Sequence, residues 1–588
     1  MGDLTMNIAP KSALLRRSAM SLCVLNFALF AASSAFAQKQ NVPVSNSKAD
    51  DFLQRVISQK GVSGWTAAIV KIDGDLTAQR EAKLKSLGAD IYRHLSIVQS
   101  VALNVPTRNL KKLSELSFVT RLSSDMSVKK SDEFTVSSSG AGAAYQLGGW
   151  TGNGVGVAII DSGIQFSSDL LVPPTWTSRV VASVNMTAET NAIDNCGHGT
   201  HVAGIVAGNG NGSTGTSYFH TFYGIARKSK LVNIRVLDRQ GAGTVSQVIA
   251  GVQWAVSHKA QYNIRIINLS LGHPVGESYT TDPLCQAIES VWKSGIVVVV
   301  AAGNDGRFQD TTSPNLDNEG YGSNWGSIQS PGNDPYVITV GATKSMDGVR
   351  DHDQVTTYSS RGPSRLDFVL KPDIIAAGNR IISLNCSNSY LSTTYASTNQ
   401  IPWASYSYNP PPGNSSTYFK LSGTSMSAPV VSGAAALMLE KYPTLSPDTI
   451  KARLMLSADK WADPTGAANP CVYGAGYLNI QSALTSTAVP GQYAMSPSLT
   501  LASDGSTSIN INNAIWGNNA IWGISGVNNF NAIWGINAIW GINNNVLNID
   551  NAIWGKNAIW GKNVWNDNAI WGISTTYTDV SPGAANGE

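Results

Sequence analysis

At 588 residues the chain is too long for one ordinary domain, so segments with separate jobs are expected. Charged residues are 13% and the formal net charge is only +3, which gives nucleic acid or an anionic membrane no electrostatic hold as a main partner. Hydrophobic content of 43% with 55 glycines excludes global disorder and suits a large α/β core rich in tight turns.

The chain opens on an export pattern. Arg16 and Arg17 precede a largely apolar run from Ala19 to Ala32, and Ala35-Phe36-Ala37 has the small-x-small form of a signal-peptidase site. Residues 1–37 are therefore predicted to be a signal peptide, with Gln38 as the new N-terminus and a secreted, extracellular product. No later stretch offers the ~20 apolar residues needed to span a bilayer. Cys23 would leave with the signal. Cys196, Cys285, Cys386 and Cys471 remain, without a CxxC pair. One or two disulfides or four buried thiols both fit, and the connectivity stays open.

Residues 38–137 read as a small α+β unit. Strands are predicted at Thr66 to Asp73, Ile97 to Val105 and Val119 to Leu122, with helices at Thr77 to Leu87 and Thr107 to Leu116. A Gly- and Ser-rich joint follows at 137–143. From 138 to 487 apolar β-branched runs alternate with helical stretches. The runs are Gly156 to Ile160, Leu231 to Leu237, Ile264 to Leu269 and Gly295 to Ala302, with helices such as Val245 to His258 and Pro283 to Lys293 between them. That pattern predicts a largely parallel sheet covered by helices on both faces. Residues 488–588 form a tail in which Asn-Ala-Ile-Trp-Gly recurs from Asn513 onward, six residues apart within pairs. This period fits neither a heptad nor ordinary helix, and Gly with Asn suggests turns.

The chemistry-bearing residues lie in the α/β segment. A serine hydroxyl needs a base to take its proton, a third group to orient that base, and fixed donors for the oxyanion that develops. Asp161 ends the strand Val157 to Asp161, at the strand end where α/β proteins place ligands. His198 lies in Gly197-His198-Gly199-Thr200-His201, before an apolar helix from Val202 to Ala207. His198 and His201 also have the spacing of a metal pair, but no acidic helix partner follows. Ser425 lies in Gly423-Thr424-Ser425-Met426-Ser427-Ala428-Pro429, before the apolar helix Val430 to Lys441. Pro429 fits a first helical turn there. Asn304 ends the run Gly295 to Asn304 and carries a neutral donor suited to an oxyanion.

Taken in the order Asp, His, Ser, these segments resemble the three signature segments of the subtilase family. The likeness runs from about 150 to 487 and includes Ser330 to Thr343 and Lys371 to Ile374. The resemblance implies a subtilisin-like α/β fold and a serine endopeptidase acting through an acyl-enzyme. Ser425 would be nucleophile, His198 general base and acid, and Asp161 the orienting carboxylate. Asn304 and the Ser425 backbone N–H would form the oxyanion hole. Ser270, Leu271 and Gly272 resemble one substrate-binding edge and pocket wall, Ala302 and Gly303 the other wall, and Gly241 with Gly243 the opposite edge. His273 stands where many members have a second glycine. Residues 51–125 resemble the family's inhibitor-type propeptide, with self-cleavage expected in the polar linker 131–141. The resemblance implies protein or peptide substrates, the chain's own propeptide as intramolecular inhibitor, and no cofactor for the chemistry. It leaves structural calcium open with its ligands unassigned, Asp169 being a candidate by position only. The tail is read as binding a surface, a polysaccharide or itself.

Overall fold

The computed structural model describes residues 48–58, 64–125, 127–130, 149–308, 320–345, 352–459, 469–490, 493–501 and 507–510. The expected export signal, the linker at 131–141 and the Asn-Ala-Ile-Trp-Gly units lie outside these residues. Among the described residues no helix is long and apolar enough to cross a membrane.

The N-terminal module contains α1 (Asp51–Ser58), β1 (Trp65–Ile72), α2 (Ala78–Ser86), β2 (Asp90–Leu95), β3 (Ser100–Pro106), α3 (Leu110–Ser114) and β4 (Val119–Ser124). Its strands form an antiparallel sheet in the order β2-β3-β1-β4. Strand alternation sorts its side chains onto two faces. Ala68, Val70, Ile72, Val101, Leu103 and Val105 build the module's own core, whereas Ile69 and Ala102 turn into the larger core of the next segment. Thr77 begins α2 by accepting the Arg80 N–H at 3.3 Å. Two elements escaped the sequence reading. One is the short α1. The other is β2, whose sequence Asp-Ile-Tyr-Arg-His-Leu carries no clear apolar alternation. A further strand, β5 (Ser127–Lys130), leaves the module and enters the next segment.

That segment contains β6 (Gly156–Asp161), β7 (Val180–Asn185), α4 (His198–Ala207), β8 (Lys230–Arg235), β9 (Ala242–Thr244), α5 (Val245–Ser257), β10 (Ile264–Leu269), β11 (Leu271–Gly272) and α6 (Pro283–Lys293). It continues through β12 (Val297–Ala301), β13 (Ile338–Lys344), β14 (Gln354–Val355), β15 (Ile374–Ala377), α7 (Thr424–Lys441) and α8 (Pro447–Leu456). The central sheet runs β14-β13-β12-β10-β6-β8-β7, with β15 also paired to β13. Every pairing is parallel except β13 with β14. Strands such as β6 and β12 are buried along their whole length, as expected for a sheet covered on both faces. Helices α4 and α7 pack together on one face, α5 and α6 on the other. Parallel pairing brings the carboxyl ends of β6, β10 and β12 to one edge, and the candidate site forms there.

Candidate active site

Asp161 is the last residue of β6 and is fully buried. His198 is the first residue of α4, behind Gly197 in a left-handed conformation (φ +104°) that a side chain would strain. Its Nδ1 lies 2.8 Å and 3.0 Å from the two Asp161 carboxylate oxygens. An ionised carboxylate only accepts, so Nδ1 carries the proton and Nε2 of the neutral ring keeps its lone pair. That Nε2 is buried with no hydrogen-bond partner among the described residues.

The loop before His198 is held by Asp194. Its Oδ1 accepts from the Cys196 N–H (3.0 Å), the Gly197 N–H (2.7 Å) and the Ser162 hydroxyl (2.8 Å). Its Oδ2 accepts from the Thr200 N–H (2.8 Å) and hydroxyl (2.7 Å). Burial pushes this carboxyl above its ordinary range while these bonds oppose the shift. The sequence reading missed Asp194, because an Asp four residues before a helix is an ordinary turn or cap signal. His201 is the other half of the HxxH spacing, and its Nε2 lies 3.1 Å from both the Ile381 and Phe419 carbonyls. Burial, then the neighbouring His198, brings its pKa down to about 3, so it is a neutral core donor. Among the described residues no three His, Cys, Asp or Glu side chains converge to hold a metal ion.

Ser425 is the second residue of α7, behind Gly423 (φ +147°). Its helix therefore starts six residues earlier than Val430, and Pro429 sits inside the helix rather than in its first turn. A proline has no N–H to give the carbonyl four residues back, which here is that of Ser425. The freed carbonyl accepts the Ser270 hydroxyl at 2.8 Å instead, so the proline couples α7 to the chain leaving β10. The Ser425 hydroxyl donates to the Ser270 carbonyl at 3.1 Å. The Ser425 hydroxyl and His198 Nε2 share no hydrogen bond, as is common before substrate binds.

Asn304 follows β12. Its Oδ1 accepts from the Thr424 N–H and the Thr424 hydroxyl, both at 2.9 Å. Two donors on one amide atom identify that atom as oxygen, so the NH₂ end is the one directed away from Thr424. Thr424 Oγ1 also accepts the Gly303 N–H at 3.1 Å, which makes Thr424 the residue that orients the amide. The sequence reading assigned Thr424 no role.

The predicted substrate edges lie on either side of β5. Ser127, Val128 and Lys129 pair antiparallel with Thr244, Gly243 and Ala242, while Lys129 and Lys130 pair with Gly272 and Leu271. A strand of the chain itself thus fills the groove between β9 and β11, one register step short of Ser270. Gly241 (φ +75°) turns the chain into β9, and a Cβ on Gly243 would stand 2.4 Å from the Val236 carbonyl oxygen. Gly272 and Gly303 each adjoin the Gln329 side chain, and the Gln329 N–H donates to the Ala302 carbonyl at 3.1 Å.

Two expectations fare differently. Asp169 is buried, but its Oδ1 accepts the Gly212 N–H at 2.6 Å and its Oδ2 the Tyr418 hydroxyl at 2.8 Å. Both oxygens already serve hydrogen bonds within the protein and burial raises the carboxyl's pKa, and among the described residues Asp169 belongs to no cluster of three His, Cys, Asp or Glu that could hold a metal ion. No disulfide joins Cys196, Cys285, Cys386 and Cys471.

Residues 152–476 match the model of the subtilase family. The chain is 37% identical over 353 residues to the serine protease AprX of Bacillus subtilis (strain 168), covering 58% of this chain and 67% of that protein. It is 31% identical over 423 residues to subtilisin E of the same species, covering 71% of this chain and 89% of the relative. Among solved structures it resembles fervidolysin from Fervidobacterium pennivorans, described as a keratinolytic enzyme related to subtilisin. The TM-score is 0.55 at 19% identity, over 77% of this chain and 65% of that one, a likeness of fold.

Proposed function

This chain belongs to the subtilase family and is a serine-type endopeptidase, and from that premise we propose that Asp161, His198 and Ser425 form its catalytic triad. The observation that carries the assignment is the pairing of His198 Nδ1 with Asp161 at 2.8 Å, which leaves a buried Nε2 with no hydrogen-bond partner among the described residues. Ser425 Oγ turns from the Ser270 carbonyl to His198 Nε2, loses its proton to it and bonds to the scissile carbonyl carbon. The Asn304 amide and the Ser425 N–H receive the oxyanion. Collapse of the tetrahedral species breaks the C–N bond, and His198 returns the proton to the leaving amine. Water then repeats the sequence on the acyl-enzyme.

Substrates are protein or peptide chains that lie as a strand between β9 and β11. The antiparallel seating of β5 in that groove supports this reading. It also supports the N-terminal module as an intramolecular inhibitor, removed by a self-made cut in the polar segment 131–141. The likeness to subtilisin E extends over more residues than 152–476 alone, in keeping with a precursor of that kind. The product is exported by the signal at residues 1–37, and the Trp-rich tail mediates self-association or attachment to a surface or polysaccharide.

The test is to label the purified protein with a serine-directed fluorophosphonate, map the adduct, and sequence the N-terminus of the wild type and of Ser425→Ala. Labelling at Ser425 is expected, with loss of the N-terminal module only in the wild type. Equal trimming of the inactive variant in a protease-free host would refute self-processing.

A further inference from the structure

The two pocket walls end in backbone without side chains, at Gly272 and Gly303, yet the gap between them is already filled. His273 and Ser330 exchange both of their N–H···O bonds at 2.9 Å, and the Gln329 N–H donates to the Ala302 carbonyl at 3.1 Å. The segment Gln329-Ser330 is thereby stitched to both walls at once. A Cβ placed on Gly272 would stand 2.7 Å from Gln329 Oε1 and 3.0 Å from its Cβ. A Cβ placed on Gly303 would stand 2.8 Å from Gln329 Cγ and 3.0 Å from its Cδ. The glutamine side chain therefore spans the slot from one glycine to the other along its whole length. Its Nε2 donates to Asp305 Oδ2 at 2.5 Å, and the Asp305 N–H is held by the Ser360 hydroxyl at 3.0 Å.

We propose that Gln329, tethered by Asp305, is the specificity-determining residue of this peptidase. It closes the primary pocket and restricts the residue on the acyl side of the scissile bond to a small side chain such as Ala or Ser. The inference rests on the assignment of Ser425 and of the two walls made above. The physical reason is displacement. A Phe or Leu side chain enters only if the glutamine swings out, which strips a partly buried carboxylate of its amide partner. Closure of the slot disfavours each added methylene on the scale of about 10–200-fold in kcat/KM. The Oε1 atom beside Gly272 remains an acceptor that a substrate hydroxyl can reach, which favours Ser among the small residues.

The experiment uses the full chain after its own maturation, with active sites counted by fluorophosphonate labelling. Internally quenched peptides differ only in the acyl-side residue (Ala, Ser, Leu, Phe or Lys), and mass spectrometry verifies the bond cut. The wild type is expected to favour Ala and Ser over Leu, Phe and Lys by about tenfold or more in kcat/KM. Gln329→Gly should raise the Phe-to-Ala ratio by about tenfold or more, and Asp305→Ala, which only unties the glutamine, by a smaller factor in the same direction. Wild type that prefers Phe, Leu or Lys, or a Phe-to-Ala ratio that neither variant moves while Ser425 still labels, overturns the proposal and leaves the catalytic assignment standing. Failure of Ser425 to label in wild type that cleaves the peptides overturns both.

Discussion

A proline in the interior of α7 and a threonine at its start hold the two groups that would meet the transition state. Pro429 leaves the Ser425 carbonyl to Ser270, and Thr424 fixes which end of the Asn304 amide faces the site. Ser425→Ala is expected to lower peptide hydrolysis by about 10⁶-fold, the scale established for the nucleophile of subtilisin itself. Near-normal turnover by the purified variant would remove Ser425 from that role. Asn304→Leu should lower kcat by about 10²–10³-fold with KM little changed, again the subtilisin scale, because the donor acts mainly once charge has developed. Thr424→Val tests the orienting role. It keeps the backbone bond to Asn304 and removes the hydroxyl one, so a loss of about tenfold in kcat, against a nearly constant KM, is expected. A change confined to KM would place Thr424 in ground-state binding instead.

Between elements, the N-terminal module grips the peptidase segment through polar contacts around one apolar face. Asp125 Oδ1 accepts the Ser246 N–H at 2.8 Å in the first turn of α5, an anion at a helix N-terminus. Lys71 donates to Gln286 at 2.6 Å, and Arg121 reaches Glu277 Oε2 through two nitrogens at 2.8 and 3.0 Å. Glu277 also faces Asp50 of the module and Asp282 at the start of α6, with His273 nearby, 3.9 Å from Asp282. Burial first, then the Asp282 charge, raises the Glu277 pKa to about 7, against the pull of Arg121. Where docking of the module supplies that burial, and the burial outweighs the module's Arg121, the bound state holds the Glu277 proton more tightly than the separated one. The associated gain is complete at acid pH and is lost as pH rises through about 7. Retention of the cleaved module, read by native mass spectrometry, should therefore be greater near pH ~5.5 than near pH ~8, and Glu277→Gln should flatten the difference. Retention that rises with pH would reverse the sign and defeat the argument. None of this interface was legible in the sequence. The strands β1, β6 and β10 were, because unbroken or alternating apolar runs reflect burial directly. Asp161, His198, Asn304 and Ser425 were legible because glycines and strand ends punctuate them. Asp194, Thr424, Glu277 and Gln329 were not, since each is an ordinary polar residue until the fold brings distant segments against it.

For the whole molecule, the decisive question is where the peptidase body ends. The sequence reading placed its end at 487 and assigned everything from 488 onward to the tail. The structure packs residues 493–499 onto the core. Ala494 and Ser496 are buried, the Ala494 N–H donates to Asp448 at 2.6 Å, and the Leu370 N–H donates to the Pro497 carbonyl at 2.8 Å. Ser496 completes a buried ionic cluster. Its hydroxyl contacts Asp373, and Lys451 Nζ donates to Ser496 Oγ at 2.9 Å while lying 3.3 Å from Asp373 Oδ1. Lys371 contacts the other Asp373 oxygen at 2.7 Å. Burial pulls the Lys451 pKa down to about 7, so the ammonium depends on every acceptor around it. Removing residues from 491 onward takes away one of those acceptors and opens the cluster to water, a loss of about 1.5–3 kcal/mol on the scale of a hydrogen bond to a charged group. Truncation after residue 510 keeps the cluster whole and removes only the repeat-bearing tail, whose Asn-Ala-Ile-Trp-Gly units supply no acid, base or metal ligand. The shorter deletion should match the full chain in kcat/KM on a short peptide and in thermal midpoint, while altering self-association or action on insoluble material. The longer deletion should melt several degrees lower. Equal melting of the two truncated proteins would show that residues 493–499 contribute nothing to the body of the enzyme, against the contacts described for Ser496.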